Sequence, residues 1–476
     1  MTPSTRPPWV ALLSGALLAA CASRPAPQLA AHPQQPIAIA SDPKLVDMTV
    51  EATTPLVLAN ASTELGIRVR ITAHDLPDAK RPPLNLGLVL DTSGSMEGAS
   101  IDAVRASAAA LVGKLRDGDR ISIVAFHSRV EVLVPSIVVS AASRPRLEHA
   151  IAGIRAHGTT DLAGGLATAL AEVRQHELAQ GVNRIVLLSD GVPNTSAQLP
   201  TLIAQTHQAG ITVTSLGLGV DYDTALMTQI ARDTGGEFHY LEKPDEVAAV
   251  FDHELMKMTT IVGRGLQLHL APGPGVTIET MPGLQPAGDG SVFATVGDLP
   301  AGETRDLMVP VKVLARGDGS TAELVDATLT FDDVIGASGP QQRTGYVGAK
   351  ASDDAAQVRA AVKISLEVAR IRAFGAAAML DAINLARSGQ LGPAQEHLAS
   401  AVKTVEDAAQ RLHEDDLAQL AKELQALGKQ LATMTIVPPQ IVEDRAVPQP
   451  ATAPAAMEVP IRRAEEKANA VLRGER

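Results

Sequence analysis

The sequence predicts an α/β protein: a doubly wound, mostly parallel sheet inserted in a β-sandwich and followed by a C-terminal helical region. Three observations predict it. Between residues 84 and 260, short apolar runs alternate with stretches of helical spacing, the pattern of a parallel sheet covered on both faces. On either side of that segment, apolar and polar residues alternate with a period of two, as half-buried strands require. From 353 to 433 the chain turns to Ala, Leu, Glu and Lys, with Pro393 its one proline.

The elements follow in order. Val46, Met48 and Val50 alternate with polar residues, and so do Leu65, Ile67, Val69 and Ile71, before a break at Pro77 and Pro82-Pro83. Leu86 to Leu90 reads as a buried strand. Ile101, Val104, Ala108, Leu111, Val112 and Leu115 then share one helix face. Ile121 to Phe126, Ile185 to Leu188 and Ile211 to Leu218 read as further strands. Leu162, Leu166, Ala169, Leu170 and Val173 mark a helix, and helices are expected over about 197–209, 222–234 and 245–259.

Alternation returns after 263, at Leu266, Leu268 and Leu270, at Val309, Val311 and Val313, and at Leu329 and Phe331. The few strands before residue 84 cannot make a stable sheet alone. Residues 45–83 and 262–348 are therefore expected to form one β-sandwich, interrupted by the α/β domain of 84–260. Residues 353–434 are expected to form a helical bundle. Gly389, Ala394, Leu398 and Ala401 resemble one tetratricopeptide-like hairpin, but such folds need about three repeats, so a plain bundle is the expectation. Residues 435–476 read as a Pro/Ala-rich disordered tail, with 462–473 either a charged helix or unstructured.

Composition narrows the function. Hydrophobic residues make up 45% of the chain and aromatics 2%, so the core must be built from aliphatic side chains. A net charge of −12 argues against nucleic acid as a partner, because phosphate binding needs clustered Lys and Arg. The one cysteine is Cys21. It ends a segment with Arg6 as its positive region and an apolar run from Trp9 to Ala20, too short to span a bilayer. Leu18-Ala19-Ala20-Cys21 resembles the bacterial lipobox. That resemblance implies a signal peptide over 1–20, lipidation of Cys21, and a flexible tether over 21–44 holding the chain to a membrane of the cell envelope. Ala22, in place of the Asp that retains enteric lipoproteins at the inner membrane, favours the outer one.

The chemistry centres on Asp91-Thr92-Ser93-Gly94-Ser95, which lies between a predicted strand and a predicted helix. Positions 91, 93 and 95 can converge above the strand's C-terminal end, where open α/β sheets place ligands. A carboxylate and two hydroxyls are hard oxygen donors, suited to Mg²⁺ or Mn²⁺.

This motif resembles the first element of the metal-ion-dependent adhesion site of von Willebrand factor type A domains, Asp-x-Ser-x-Ser. The second element, a Gly-Gly-Thr-(Asn/Asp)-Leu loop, has its counterpart in Gly158-Thr159-Thr160-Asp161-Leu162, with Thr159 in place of the second glycine. The third, an Asp ending a strand, is matched by Asp190. The resemblance implies a metal held by Asp91, Ser93, Ser95, Thr160 and Asp190, with Asp190 acting through water. It also implies recognition of a partner protein's carboxylate. One full negative charge in direct contact would leave a divalent ion electrophilic toward an outside acid.

Little points to catalysis. Metal-assisted hydrolysis needs a base beside the metal-bound water. His127 and His157 are nearest in sequence; His157, close to Thr160, either lines the rim or is a solvated loop residue. His176-Glu177 and His253-Glu254 lack the second histidine of a zinc-protease motif, and Tyr222 stands where a dinucleotide loop after Gly217 and Gly219 needs glycine. The expected function is a metal-dependent protein-binding lipoprotein and not an enzyme. The alternatives are an envelope scaffold acting through its C-terminal helices and, third, a metal-dependent hydrolase.

Overall fold

A computed structural model describes residues 45–75, 80–336, 338–435, 440–442, 445–447 and 453–475. The expected signal peptide, Cys21 and tether lie outside these residues. Among the described residues no helix is long and apolar enough to cross a membrane.

Three strands come first: β1 (Val46–Ala52), β2 (Leu56–Leu58) and β3 (Ser62–Ala73). The α/β domain then runs through β4 (Leu84–Asp91), α1 (Ala99–Lys114), β5 (Arg120–Phe126), β6 (Val130–Val138), α2 (Arg144–Ala152) and α3 (Leu162–Arg174). It continues through β7 (Val182–Ser189), α4 (Leu199–Gln208), β8 (Thr212–Leu218), α5 (Thr224–Thr234), β9 (Phe238–Leu241) and α6 (Glu246–Thr259). Its sheet has the order β6-β5-β4-β7-β8-β9. Every pair is parallel except β5 with β6, a hairpin edge. Strand β6 has no separate signature in the sequence; Pro135 within it is tolerated because only one side of the strand is paired.

Period-two geometry explains the two layers. Leu84, Leu86, Leu88 and Leu90 of β4 point to one face and pack with Val104 and Leu111 of α1 and Phe251 and Leu255 of α6. Val89, Val124 and Phe126 point to the other and pack with Leu166 and Leu170 of α3 and Ile230 of α5. Gly87 allows α3 to close on the sheet, since a Cβ there would stand 2.9 Å from Val173 Cγ2.

After α6 the chain returns to strands: β10 (Ile261–Pro272), β11 (Val276–Ile278), β12 (Leu284–Pro286), β13 (Val292–Pro300), β14 (Thr304–Leu314), β15 (Thr321–Asp333) and β16 (Gly339–Ser352). One sheet has the order β1-β3-β14-β11 and the other β12-β13-β10-β15-β16-β2. Both sheets mix strands from before and after the α/β domain, so that domain is an insertion between β3 and β10. Ile67, Val69 and Ile71 meet Leu266, Leu268 and Leu270 in the core between the sheets.

The sandwich grips the start of the parallel strands. Arg184, near the beginning of β7, is buried and bonds Asp298 of β13 at 2.6 Å and Glu254 of α6 at 3.4 Å. Arg264 of β10 donates to the carbonyls of Leu178 and Gly181. Gly235, capping α5 with φ 81°, meets Gly297 of β13, where φ is 86°. Five residues of strand, about 17 Å, separate Arg184 from Ser189 at the far end of β7. The C-terminal end of β7 thus lies away from these contacts.

Four helices follow: α7 (Ala355–Ala360), α8 (Ile364–Arg387), α9 (Leu391–Leu412) and α10 (Asp415–Leu431). Ile371, Met379, Ile383, Leu398, Val405, Leu424 and Leu427 form a common core for the three long ones. Beyond a short hairpin of β17 (Gln440–Val442) and β18 (Arg445–Val447), the chain forms α11 (Ala455–Leu472). This corrects the expectation of disorder over 455–461 and, of the two readings left open for 462–473, agrees with the charged helix. The cause is burial: Ile461 and Ala468 enter the helical core, and buried Glu465 pairs with Arg387 of α8 at 3.1 Å. Helix α11 also crosses the edge of the α/β sheet, where Tyr240 N donates to Glu466 at 3.3 Å. Arg462 donates to the carbonyls of Val220 and Tyr222, with its guanidinium 4.4 Å from the Tyr222 ring. At its end, Gly474 O accepts from Asp306 N of the sandwich at 3.0 Å.

Candidate metal centre

Parallel strands end together, so the residues following them share one edge. Asp91 is the last residue of β4, and Ser189 and Asp190 stand at the end of the adjacent β7. The chain leaves β4 through a tight turn, Gly94–Met96, ahead of α1. Asp91 is fully buried. Its Oδ1 accepts from Ser93 N at 2.8 Å and its Oδ2 from Ser189 Oγ at 2.5 Å.

The structure gathers the expected residues at one edge of the sheet and links three of them oxygen to oxygen. Ser93 Oγ lies 3.0 Å from Ser95 Oγ, and Ser95 Oγ donates to Asp190 Oδ1 at 2.6 Å. A Cβ on Gly191 would stand 3.0 Å from Thr160 Oγ1 and 3.7 Å from Ser95 Oγ, so both hydroxyls border the same bare backbone. Asp91, Ser93, Thr160 and Asp190 are buried, while Ser95 opens to solvent.

The two loops are locked to each other. Gly94 N donates to Gly158 O at 3.0 Å, and His157 N to Thr92 O at 2.8 Å. Asn194 N donates to Thr160 O at 2.9 Å. Thr159 does not compete for the site. Its amide and hydroxyl lie 2.9 and 3.3 Å from Ser128 Oγ, and its hydroxyl accepts from Asn194 Nδ2 at 3.0 Å. Gly158, with φ 79°, makes the turn that sets Thr159 and Thr160 apart, and Ser128 Oγ would stand 2.4 Å from a Cβ there.

Electrostatics match the oxygen set to a cation. Burial pushes the Asp91 carboxyl above its ordinary value, against the hydrogen bonds from Ser189 and Ser93 that hold it down. Burial pushes Asp190 up to about 6, and the charge of Asp91 adds to this while the Ser95 bond opposes it. Two buried carboxylates that disfavour each other's charge, ringed by hydroxyls, are what a small divalent cation would neutralise. The residues fit a hard ion: Asp91, Ser93, Ser95, Thr160 and Asp190 would hold it, and it would supply an electrophilic point for an oxygen ligand.

Ser189 is the residue sequence reasoning left unassigned. Its signal was its place before Asp190 at a strand end, which alone does not distinguish it from a buried strand serine. His127 and His157, the histidines nearest the motif in sequence, lie against each other with ring centroids 3.8 Å apart, His127 buried and His157 exposed.

Comparison with known proteins agrees with this architecture. Residues 85–253 match the family model of the von Willebrand factor type A domain. An uncharacterized protein of Escherichia coli (strain K12), YfbK, is 28% identical over 219 residues, which cover 45% of this chain and 38% of the relative. An uncharacterized protein of Synechocystis, sll0103, is 28% identical over 234 residues, covering 48% of this chain and 53% of the relative. The chain thus spans about half or less of these relatives' lengths. A solved structure, a von Willebrand factor type A protein from Catenulispora acidiphila, superposes with a TM-score of 0.66 at 18% identity, over 89% of this chain and 97% of that one. That coverage is too wide for the α/β domain alone, so the surrounding fold recurs as well. Residues 85–253 thus match the von Willebrand factor type A domain and have its α/β fold, set in a larger fold shared with a solved structure.

Proposed function

We propose that this chain is a metal-dependent protein-binding protein of the cell envelope. A Mg²⁺ or Mn²⁺ ion held by Asp91, Ser93, Ser95, Thr160 and Asp190 presents an open position to a partner's Asp or Glu. The observation that carries this reading is the hydroxyl-rich oxygen group between two carboxylates, with Ser95 at its solvent-facing side. With hydroxyls in place of further carboxylates and Asp190 acting through water, the ion keeps a pull on an external carboxylate. A set of three protein carboxylates would not leave that attraction.

The position of the site supports a presented surface. It lies at the end of the domain opposite to the sandwich junction at Arg184 and Asp298. The lipobox-like Leu18-Ala19-Ala20-Cys21 supports export and lipid anchoring, with the outer membrane favoured. In this reading the metal binds and does not turn over a substrate.

A second reading, an assembly scaffold, draws on one observation. Leu398, Val402 and Leu424 line an open groove of about 500 Å³ between α9 and α10. The two readings separate in one experiment: capture of envelope proteins by the full chain, with and without EDTA, beside Asp91→Ala. The metal reading predicts a partner lost on chelation and absent with Asp91→Ala. Equal capture in all three would overturn it and leave the helices as the binding surface.

A further inference from the structure

A second cluster of metal-ligating side chains stands beside the Asp91 group. His127 follows the last residue of β5, Glu131 is the second residue of β6, and His157 lies in the loop leading to Thr160. One ligand atom from each of the three lies within 4.8 Å of the others. His127 is 5% exposed, and its Nε2 is buried without a hydrogen-bond partner. That nitrogen stands 3.5 Å from Glu131 Oε1.

The separation is informative. It is longer than N–H···O hydrogen bonds prefer. It is close to the edge of a tetrahedron, because two ligands each about 2.0–2.1 Å from a tetrahedral zinc are roughly 3.3 Å apart. His157 Nδ1 lies 3.1 Å from the Arg155 carbonyl. A proton held there leaves Nε2 with its lone pair, which is how a backbone carbonyl commonly orients a metal-binding imidazole. Glu131 and His157 are exposed, so an ion can reach the cluster from solvent.

We propose that His127, Glu131 and His157 form a second metal site, for Zn²⁺ or a similar borderline ion, distinct from the all-oxygen group at Asp91. Two imidazoles and a carboxylate suit zinc, while Mg²⁺ demands oxygen ligands. Three protein ligands leave a fourth position for water or for a side chain of a bound partner. One contact tempers the affinity. Arg129 N donates to His127 Nδ1 at 3.2 Å, which puts the imidazole proton on Nε2. Zinc at Nε2 moves that proton to Nδ1 and breaks the Arg129 bond, so binding is weaker than at a preformed structural zinc site.

The inference does not depend on the proposed function, since none of its three residues belongs to the Asp91 group. The test is zinc alone, added to the untagged full chain in excess Mg²⁺, with metal content measured after equilibrium dialysis. One Zn²⁺ per chain is expected. His157→Ala and Glu131→Ala, both at exposed positions, should each weaken it by about ten-fold or more, while Asp91→Ala leaves it unchanged. Co²⁺ in its place should give the visible bands of a tetrahedral ion, lost in His157→Ala. Failure to retain zinc overturns the proposal. So does retention unaffected by His157→Ala and Glu131→Ala, or zinc lost in Asp91→Ala.

Discussion

Ser189 Oγ donates to Asp91 Oδ2 at 2.5 Å, tying the ends of the two central strands together beneath the oxygen group. The bond fixes which way the buried carboxylate turns and leaves it a better anion. Ser189→Ala should fold, yet lower divalent-metal affinity by roughly ten- to a hundred-fold, as loss of an outer hydrogen-bond partner commonly does. Titration of Mn²⁺ into both proteins measures this. Equal affinities would show that the bond orients nothing the metal uses.

The junction between the inserted domain and the sandwich makes a separate prediction. A Cβ on Gly297 would stand 1.9 Å from Gly235 O, and both glycines have positive φ. Gly297→Ala should cost at least about 2 kcal/mol in denaturant unfolding, through overpacking and backbone strain together. Gly288→Ala, where nothing lies within 4 Å, is the control and should be nearly neutral. Equal stability of the two variants would contradict the close approach.

His239 gives a pH signature. It lies 3.1 Å from Glu254 Oε1 and 3.8 Å from Glu237 Oε2, and Glu466 adds a third negative charge. Lys257, Arg305, Arg473 and Arg184 face the same carboxylates. Burial pulls the imidazole down, but the Glu254 hydrogen bond and the three carboxylate charges outweigh it, and the net shift is upward. A folded value above the unfolded one stabilises in full below about pH 6.5 and is lost as pH rises through the folded value. The stability difference between the wild type and His239→Gln should therefore be largest near pH 6 and shrink toward pH 9. A constant difference across that range would mean that His239 is not charged in the folded chain.

Much of this molecule is legible in its sequence because the informative residues sit at element boundaries. Asp91, Ser93 and Ser95 follow an unbroken apolar strand, and only a strand end gives that spacing a common direction. Alternation at Ile67, Val69 and Ile71 marks a half-buried strand, but its pairing with β14 across more than two hundred residues leaves no local trace. Ser189 is invisible for a similar reason, since its partner is 98 positions away. Helix α11 is only half legible, its charged end over 462–473 readable as a helix and its start not. The Pro/Ala-rich stretch before it and Pro460 within it suggest a tail, and its stability comes from tertiary burial of Ile461 and Ala468 and not from helix propensity. Edge strand β6, paired on one side and interrupted by Pro135, carries too weak a pattern to stand out.

The most direct test of the account is the Mn²⁺ stoichiometry of the full chain, read by electron paramagnetic resonance and competed with Mg²⁺. The wild type should bind one Mn²⁺ that Mg²⁺ displaces. Asp91→Asn, with an unchanged circular dichroism spectrum, should bind at least about a hundred-fold more weakly, since it removes the carboxylate that would touch the ion in the proposed site. Undiminished binding by Asp91→Asn would contradict a metal centre built on Asp91.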